Sequence, residues 1–358
     1  MSRVCLVCIS LRAGGTERVV SALANHLVSR HEVEVILLTN REPFFELDPR
    51  IRLWQPDRAR SDGHRIKYYF QVARLIRSVA RSRMPDVIFS FGELIGPFVR
   101  LVTIGIPSKI CIFHRGEPRR SLSGLGGWIR PLVYMLVDFV VVQTKQTREL
   151  LSSRYRHSKI LVIPNPVAVP KSVPRLLDRP KVITNIGMIG RLKNQEFLLR
   201  KFAKCDPLEE WELQFLGDGP QKDGLEDLSK SLGVHQRVRF LGERKDVDQI
   251  LRGSQIFAFA SLSEGFPNAL AEALAHGCAS ISFDCPTGPS DLIEDDANGI
   301  LVSVGDDQRY EEQLRKLLND EELRVRLSLR ARQDIRTYSS DVVFKLFERL
   351  VPTAVSKV

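Results

Sequence analysis

The first 38 residues alternate between apolar runs and a helical pattern, and this alternation restricts the fold more than any other feature of the sequence. Arg3 to Ile9 and Val33 to Leu38 have the length and composition of buried strands. Between them, Glu17 to Arg30 has apolar residues at helical spacing. This order predicts a parallel, doubly wound α/β sheet, in which ligands bind beyond the carboxyl ends of the strands. The turn before the helix offers only Gly14-Gly15, which lacks the G-x-G-x-x-G pattern and disfavours a nicotinamide cofactor.

The length of the chain predicts more than one domain. Its 358 residues exceed what a single core usually accommodates, so we expect two. Five prolines fall between Pro164 and Pro180, too many for a regular element. We therefore place a linker at residues 166–180, between an N-terminal domain at 1–165 and a C-terminal domain at 181–338.

The composition is that of an ordinary globular protein, with 43% hydrophobic and 27% charged residues. Cys5 and Cys8 share a predicted strand and would point to opposite faces, and the other cysteines lack paired spacing. We therefore expect neither a disulfide nor a zinc site, which indicates a cytosolic protein. The longest apolar run, Trp128 to Val137, is interrupted and falls far short of the ~20 residues that span a bilayer, so we expect no transmembrane helix.

Positive charge is concentrated in the N-terminal half. Residues 1–180 carry 29 Lys and Arg against 14 Asp and Glu, whereas residues 181–358 carry 24 against 29. Nucleic acid, an anionic membrane surface or a phosphorylated acceptor would each suit a basic half. Because no nucleic-acid module and no aromatic stacking pattern accompanies the basic residues, nucleic acid is the least favoured partner.

A basic amphipathic helix is predicted from His64 to Arg83. Its apolar side consists of Ile66, Tyr69, Phe70, Ala73, Ile76, Val79 and Ala80. The arginines lie largely on the other side, at Arg65, Arg74, Arg77, Arg81 and Arg83. This pattern suits either a surface helix that packs on the sheet or a helix that contacts anionic lipid. Both interpretations stay open.

The stretch from Ala260 to Gly299 has the pattern of a ligand site. A strand, a Gly-Pro turn and a helix that begins near Asn268 bring several backbone N–H groups and a positive dipole end to one point, which suits a phosphate. Glu264 precedes that point, and Glu272 follows it by about one helical turn, or ~6 Å. One carboxylate can then face a ribose and the other a sugar. The alternative is a loop carboxylate and a solvated helix residue.

Three further positions carry candidate chemistry. Arg191 and Lys193 follow a glycine turn, where they would either grip a diphosphate or stay solvated. His114 directly follows the predicted strand Ile110 to Phe113, so it lies either in a ligand site or in a structural role. The Asp246-Val247-Asp248 run resembles a metal-binding D-x-D pair, but Asp246 stands at a helix start, where a capping role explains it. We expect no metal site there.

The order of motifs along the chain resembles the family-4 retaining glycosyltransferases, which have the GT-B fold of two Rossmann-like domains facing across a cleft. The matching residues are Gly14 to Arg18, His114, Gly190-Arg191 with Lys193, Gly217 to Pro220, Phe240 to Gly242, and Glu264 with Glu272 at E-x7-E spacing. The fold implies that residues 339–358 contain a last helix, around Asp341 to Pro352, that crosses back to the N-terminal domain.

The resemblance implies a role for each of these residues. Arg191 and Lys193 would hold the donor diphosphate, and Glu272 would hold the ribose hydroxyls. Glu264 would hold the donor sugar, with His114 against the same sugar. Arg244 would lie near the base, and Gly15 would close over the diphosphate from the other domain. The backbone that contacts sugar and phosphate would be that of Phe266, Pro267, Asn268, Ala269 and Leu270. No cofactor and no metal is implied, since cations and a helix end neutralise the leaving group.

Two positions depart from the family pattern. Only Leu192 separates Arg191 from Lys193, where several residues are usual, so Lys193 reaches the phosphates differently or not at all. Gln255 stands where Asp is usual.

Asp284 to Ser290 resembles a bacterial subgroup that extends lipid-linked oligosaccharides for O-antigen, capsule or protein glycans. Members often use UDP-N-acetylgalactosamine, UDP-galactose or UDP-N-acetylglucosamine, and their acceptor is linked to undecaprenyl diphosphate. The basic N-terminal half would then face an anionic acceptor at the inner face of the cytoplasmic membrane.

Two other functions stay open. GT-B-like epimerases of UDP-N-acetylhexosamine share the architecture and would turn over a UDP-sugar without an acceptor. A non-catalytic, membrane-peripheral scaffold with a vestigial nucleotide-sugar site would turn over nothing.

Overall fold

A computed structural model describes residues 1–12, 14–57, 65–116, 132–154, 159–205 and 210–353. The chain forms two compact units, the first made of Met1–Pro166 with Asp341–Val358 and the second of Val167–Ser340. Each unit contains a fully parallel sheet with helices. The prediction of two doubly wound Rossmann-like domains is therefore confirmed.

In the described ranges the sheet of the first unit has seven strands in the order β3-β2-β1-β4-β5-β6-β7. The strands are β1 (Arg3–Cys8), β2 (Glu32–Leu37), β3 (Arg52–Trp54), β4 (Val87–Phe91), β5 (Lys109–Phe113), β6 (Phe139–Val142) and β7 (Ile160–Val162). Four helices in the described part are α1 (Gly15–Leu27), α2 (Arg65–Arg83), α3 (Ile95–Val102) and α4 (Lys145–Arg154). Cys5 and Cys8 pack in separate cores on opposite faces of β1, and all six cysteines are buried free thiols, as predicted.

The second unit has six strands in the order β10-β9-β8-β11-β12-β13. They are β8 (Val182–Ile186), β9 (Glu212–Leu216), β10 (Val238–Phe240), β11 (Ile256–Phe259), β12 (Ala279–Asp284) and β13 (Ile300–Ser303). The helices are α5 (Gln195–Cys205), α6 (Lys222–Ser231), α7 (Val247–Arg252), α8 (Asn268–Ala275), α9 (Pro289–Leu292), α10 (Asp307–Asn319) and α11 (Glu321–Asp334). The strand order reverses between β8 and β11, and this is the point at which open α/β sheets bind ligands.

The structure differs from the sequence expectations at three elements. The short strand β3 was not predicted, because three residues with little burial carry no clear alternation, and with it His114 follows the fifth strand of the chain. Residues 167–180, expected as a linker, belong to the second unit. There Val167 N–H donates to the Tyr338 carbonyl at 2.8 Å. Buried Arg179 donates to the carbonyls of Ser254 and His276 at 2.9 and 2.8 Å.

The apolar side of α2 is divided between core and solvent. The stripe that begins at Val72 is buried against the sheet, together with Ile76. Ile66 and Phe70, expected on the packed side, are each 73% exposed, and Tyr69 is 49% exposed. The helix therefore buries the middle and end of its apolar stripe and leaves the start in solvent. His64, the predicted first residue, lies outside the described residues.

The last helix, α12 (Ser340–Glu348), contributes to the core of the first unit. The ring of Phe347 stacks on that of Phe113 with centroids 5.3 Å apart. Glu348 pairs with His26 at 3.0 Å, and the hydroxyl of Ser2 donates to the Pro352 carbonyl at 2.7 Å. The first unit is thus assembled from both ends of the chain.

Candidate nucleotide-sugar site

Three successive turns meet at the carboxyl edge of the second sheet. Gly217, with φ +132°, lies so close to the turn after β8 that a Cβ there would stand 2.2 Å from the Gly187 carbonyl oxygen. A Cβ on Gly219 would stand 2.1 Å from the Ile189 carbonyl oxygen. The turn after β10 joins them through a hydrogen bond from Gly217 N–H to Gly242 O of 2.8 Å. The two glycines of the G-D-G-P motif therefore allow this backbone contact.

The loop after β11 leads into α8, which begins at Asn268 as predicted. Its N-cap residue, Pro267, makes no side-chain cap hydrogen bond, and the N–H of Asn268 donates to the Phe266 carbonyl at 2.9 Å. Phe266 is buried and packs near Tyr338, with ring centroids 6.3 Å apart, so it can offer only backbone to a ligand. Gly277 follows the helix with φ +68°, a left-handed conformation that favours glycine.

Glu264 and Lys193 form an ion pair, with Lys193 Nζ 2.5 Å from Glu264 Oε1. The side chains are 10% and 26% exposed, respectively, and the ammonium group also lies 5.3 Å from the ring centroid of Phe259. A backbone hydrogen bond from Leu262 to the carbonyl of Leu192, 2.8 Å long, ties the two loops together. The shortened Arg191–Lys193 turn thus directs Lys193 to the carboxylate that was expected to hold the donor sugar.

The loop after β12 fixes Glu264 from the other side, a support that the sequence analysis missed. The buried hydroxyl of Thr287 donates to the backbone carbonyl of Glu264. Gly288, with φ +124°, stands so close to Pro267 that a Cβ would lie 2.4 Å from its Cδ. A residue with a side chain at 288 would both strain the backbone and push the Glu264 loop away. The sequence signal was Thr287-Gly288-Pro289 shortly after the apolar run that forms β12.

Arg191 is exposed, and among the described residues it has no ion pair. Its turn is held by Gln195, whose side chain accepts from Gly190 N–H and donates to the Met188 carbonyl, each at 3.2 Å. Asn194 closes the turn with φ +55°. The guanidinium is thereby presented on a fixed backbone, with its donors available to a ligand.

Polar groups without partners lie at the ends of β11 and β12. Ser261 Oγ and Asp284 Oδ1 are buried and have no hydrogen-bond partner within the described part of the chain. These strands pair in parallel up to Phe259 and Ser282, so both residues lie at one edge. Burial, together with the nearby charge of Glu264, raises the pKa of the adjacent Cys285 thiol to about 12, so this cysteine stays protonated. A ligand with hydroxyl or amide N–H groups would satisfy the two oxygens.

Arg244 lies on the turn after β10, where Asp246 accepts from it at 2.8 and 2.6 Å. These hydrogen bonds lower the pKa of Asp246. Asp246 precedes α7 as predicted, but its side chain makes no cap hydrogen bond, because Arg244 holds the carboxylate. Asp248 pairs with Arg252 and His276 at 2.6 and 2.7 Å. Both carboxylates of the D-x-D run are thus in ion pairs.

The twelve predicted site residues fall into two groups. Gly15 and His114 lie in the first unit, and the other ten lie in the second, at the edge described above. Gly15 is the first residue of α1 and is exposed. His114 is buried directly after β5, where its backbone N–H donates to the Val141 carbonyl at 2.8 Å. Glu272 is half-buried one turn into α8.

Comparison with known proteins assigns both halves of the chain. Residues 13–169 match the family model of Glycosyltransferase Family 4, and residues 171–334 match that of Glycosyl transferases group 1. The amylovoran biosynthesis glycosyltransferase AmsD of Erwinia amylovora is 28% identical over 345 residues, which cover 93% of this chain and 94% of that protein.

A second relative, from Campylobacter jejuni, is 25% identical over 342 residues, covering 94% of this chain and 95% of that protein. It is a GalNAc-alpha-(1->4)-GalNAc-alpha-(1->3)-diNAcBac-PP-undecaprenol alpha-1,4-N-acetyl-D-galactosaminyltransferase. Among solved structures, Anabaena Alr3699/HepE in complex with UDP and glucose aligns with a TM-score of 0.79 at 17% identity, covering 98% of this chain and 99% of that one. The chain therefore belongs to the GT-B glycosyltransferases, with a Family 4 N-terminal half and a group 1 C-terminal half.

Proposed function

We propose that the protein transfers a hexose or N-acetylhexosamine from a UDP-sugar to an undecaprenyl-diphosphate-linked saccharide, with retention of the anomeric configuration. The observation that carries this proposal is the grouping of Arg191, the Glu264–Lys193 pair and the uncapped start of α8 on one sheet edge. UDP-N-acetylgalactosamine, UDP-galactose and UDP-N-acetylglucosamine are the favoured donors. The Campylobacter relative acts on a saccharide linked through diphosphate to undecaprenol, which supports this acceptor class.

The donor would be held by charge at one end and by hydrogen bonds at the other. Arg191 and the N–H groups of Ala269 and Leu270 suit the diphosphate, whose negative charge grows as the sugar leaves. Glu272, one turn further along α8, suits the ribose hydroxyls. Glu264, with the unsatisfied oxygens of Ser261 and Asp284, suits the hydroxyl or amide groups of the sugar. The cations and the start of α8 would then neutralise the diphosphate in place of a metal ion, so the proposal includes no metal.

Retention would proceed on one face of the sugar. Lys193 Nζ donates to Glu264 Oε1 at 2.5 Å. A carboxylate paired in this way is better suited to binding hydroxyls than to attacking carbon. The acceptor hydroxyl would approach from the side on which the diphosphate departs, and the leaving oxygen would take its proton. His114 would position the sugar rather than attack it.

The test of the proposed function is a transfer assay. Purified protein is incubated, in the presence of EDTA, with each labelled UDP-sugar and a synthetic prenyl-diphosphate-linked saccharide. A labelled, extended lipid-linked product that retains the anomeric configuration is the expected result. Interconversion of UDP-sugars without acceptor would instead assign the protein to the epimerases, and absence of both reactions with every donor would favour the scaffold.

Glu272→Ala is expected to weaken donor binding and leave the fold intact. A hydrogen bond to a charged group contributes about 1.5 to 3 kcal/mol, so the donor Kd should rise about tenfold to a hundredfold. Calorimetric titration with UDP measures it, with unfolding temperature as the fold check. Glu322→Ala, which changes an exposed carboxylate in the first turn of α11, is the matched control. A UDP affinity equal to that of the parent would contradict the ribose assignment.

The first unit has a surface suited to an anionic membrane. Exposed apolar side chains occur on α2, on α3 and in residues 132–136. At least half exposed are Ile66, Phe70, Leu94 directly before α3, Leu101, Leu132, Met135 and Leu136. Tyr69 of α2 meets Phe98 of α3 with ring centroids 6.3 Å apart, and Arg100 of α3 donates to the Leu136 carbonyl at 2.7 Å, so the three segments are neighbours.

Basic residues lie on the same helix α2, where Arg74, Arg77 and Arg81 line a depression. No helix in the described ranges is long and apolar enough to cross a bilayer.

We expect the protein to associate peripherally with the inner face of the cytoplasmic membrane through this surface. Liposome co-sedimentation should require anionic lipid and weaken as salt rises, since each basic residue near such a surface contributes about 1 kcal/mol. Phe70→Glu should reduce binding. Leu329→Glu, at an equally exposed leucine of the second unit, should not. Binding that did not depend on lipid charge or salt concentration and was unchanged by Phe70→Glu would argue against this docking surface.

A further inference from the structure

Arg115 places a cation in the first unit, and among the described residues it has no carboxylate partner. Its Nε and Nη2 atoms are shielded from solvent and have no hydrogen-bond partner in the described structure. Within the described residues, Nη1 donates to the side-chain oxygen of Asn165. The guanidinium lies over the rings of Phe91 and Phe113, with Cζ 5.2 and 5.5 Å from their centroids. Burial lowers the pKa of Arg115 to about 9.

The carboxylate of Glu93 does not neutralise this charge. It accepts from the backbone N–H groups of Arg115 and Gly116 at 3.5 and 3.3 Å and forms no ion pair with the guanidinium. Amide oxygens and aromatic faces compensate a buried guanidinium only in part, because the loss of hydration outweighs one neutral acceptor and two ring contacts. Two buried donor nitrogens of a cation, Nε and Nη2, thus remain unpaired in the described structure.

Arg115 lies at the carboxyl edge of the first sheet. The residue follows β5 by two positions, next to His114. Gln143 and Asn165, which follow β6 and β7, are hydrogen-bonded to each other at 2.7 Å beside it. The polar ends of three adjacent parallel strands therefore meet at the carboxyl edge of the sheet, where ligands bind in folds of this class.

We propose that Arg115 is an anion-binding residue of the first unit and that its ligand is the diphosphate group of a substrate. Because Nε and Nη2 have no hydrogen-bond partner in the described structure, the planar guanidinium can donate two parallel hydrogen bonds to a phosphate group. Without an anion the side chain lies folded on Phe91 and Phe113, and an arriving diphosphate draws the guanidinium from the rings. The diphosphate belongs either to the nucleotide sugar or to the lipid-linked acceptor. The choice between these two sources rests on the proposed function, whereas the anion site itself does not.

The test is calorimetric titration with inorganic pyrophosphate of the Arg191→Ala protein, in which the principal cation of the other candidate phosphate site is absent. Adding Arg115→Met is expected to weaken pyrophosphate binding at least tenfold. Arg115→Lys should restore it in part, because lysine keeps the charge but not the fork. The unfolding temperature of Arg115→Met without anion should equal or exceed that of the parent, since an uncompensated buried charge has been removed.

Arg179→Met is the matched control, because Arg179 is a buried arginine of the second unit that donates to backbone carbonyls. It should lower the unfolding temperature and leave pyrophosphate affinity unchanged. Pyrophosphate affinity within twofold of the parent in both Arg115 variants would overturn the proposal, whatever their stability.

Titrations with UDP and with farnesyl diphosphate then identify the source. Loss of UDP affinity in Arg115→Met assigns the residue to the donor, and loss of farnesyl diphosphate affinity assigns it to the acceptor. If no transfer activity is found but pyrophosphate binding still depends on Arg115, the proposed function is wrong and the anion site is retained.

Discussion

Arg191→Ala is expected to lower turnover by about 10²-fold or more, the usual scale for losing one preorganised group that stabilises developing charge. Arg191 is the exposed cation of the β8 turn, whereas Lys193 in the same turn is already paired with Glu264. The turn is fixed by Gln195, so the guanidinium needs little reorganisation when charge appears on the departing diphosphate. The loss should therefore fall on kcat.

Steady-state kinetics with saturating acceptor measures the effect. Arg200→Ala serves as control, because Arg200 is an exposed arginine nearby on α5 whose carboxylate partner, Glu196, lies on the same helix. Arg191→Lys should recover part of the rate, since it keeps the charge. If kcat were unchanged and only KM rose, Arg191 would bind ground state and transition state alike, and leaving-group stabilisation would have to come from elsewhere.

Glu264→Ala is the second substitution with a large expected effect, also about 10²-fold in kcat. The carboxylate is held on one side by Lys193, and its backbone is held on the other by Thr287, so it is positioned before any ligand arrives. A group fixed in this way contributes most when it contacts the sugar as the bond to diphosphate breaks. Donor affinity should change much less than turnover.

Glu264→Gln keeps a hydrogen-bond acceptor and should retain more activity than Glu264→Ala. A raised KM at equal kcat would contradict a transition-state role. The same residue tests the mechanism of retention, because intact-protein mass spectrometry with a slow donor analogue should find no glycosylated enzyme. A stable hexose adduct on Glu264 would replace the same-face mechanism with double displacement.

The features that the sequence predicted well are those set by local pattern. The start of α8 at Asn268 follows from helix and turn propensities within a few residues. The spacing of Glu264 and Glu272 then places one carboxylate before the helix and one inside it. Parallel sheets buried on both faces follow in the same way from continuous apolar runs.

The features that the sequence could not predict depend on contacts between distant segments. The pairing of Lys193 with Glu264 joins residues 71 positions apart, and it depends on β8 and β11 being neighbours. Arg115 illustrates the same limit, because a lone arginine after a strand has no pattern that reveals the burial of two of its donor atoms. The exposure of Phe70 was hidden for a related reason: helical periodicity shows which side chains share a face but not how far the packed surface extends.

The return of α12 to the first unit has a consequence for biosynthesis. During translation the chain emerges N-terminus first, so residues 1–166 leave the ribosome long before Val343, Phe344 and Phe347, which belong to their core. Until then the face formed by Phe113 and its neighbours stays uncovered, whereas all the strands of the second unit have already been made. The nascent chain should thus complete its later unit first, and chaperone occupancy should persist on the earlier one until α12 has emerged.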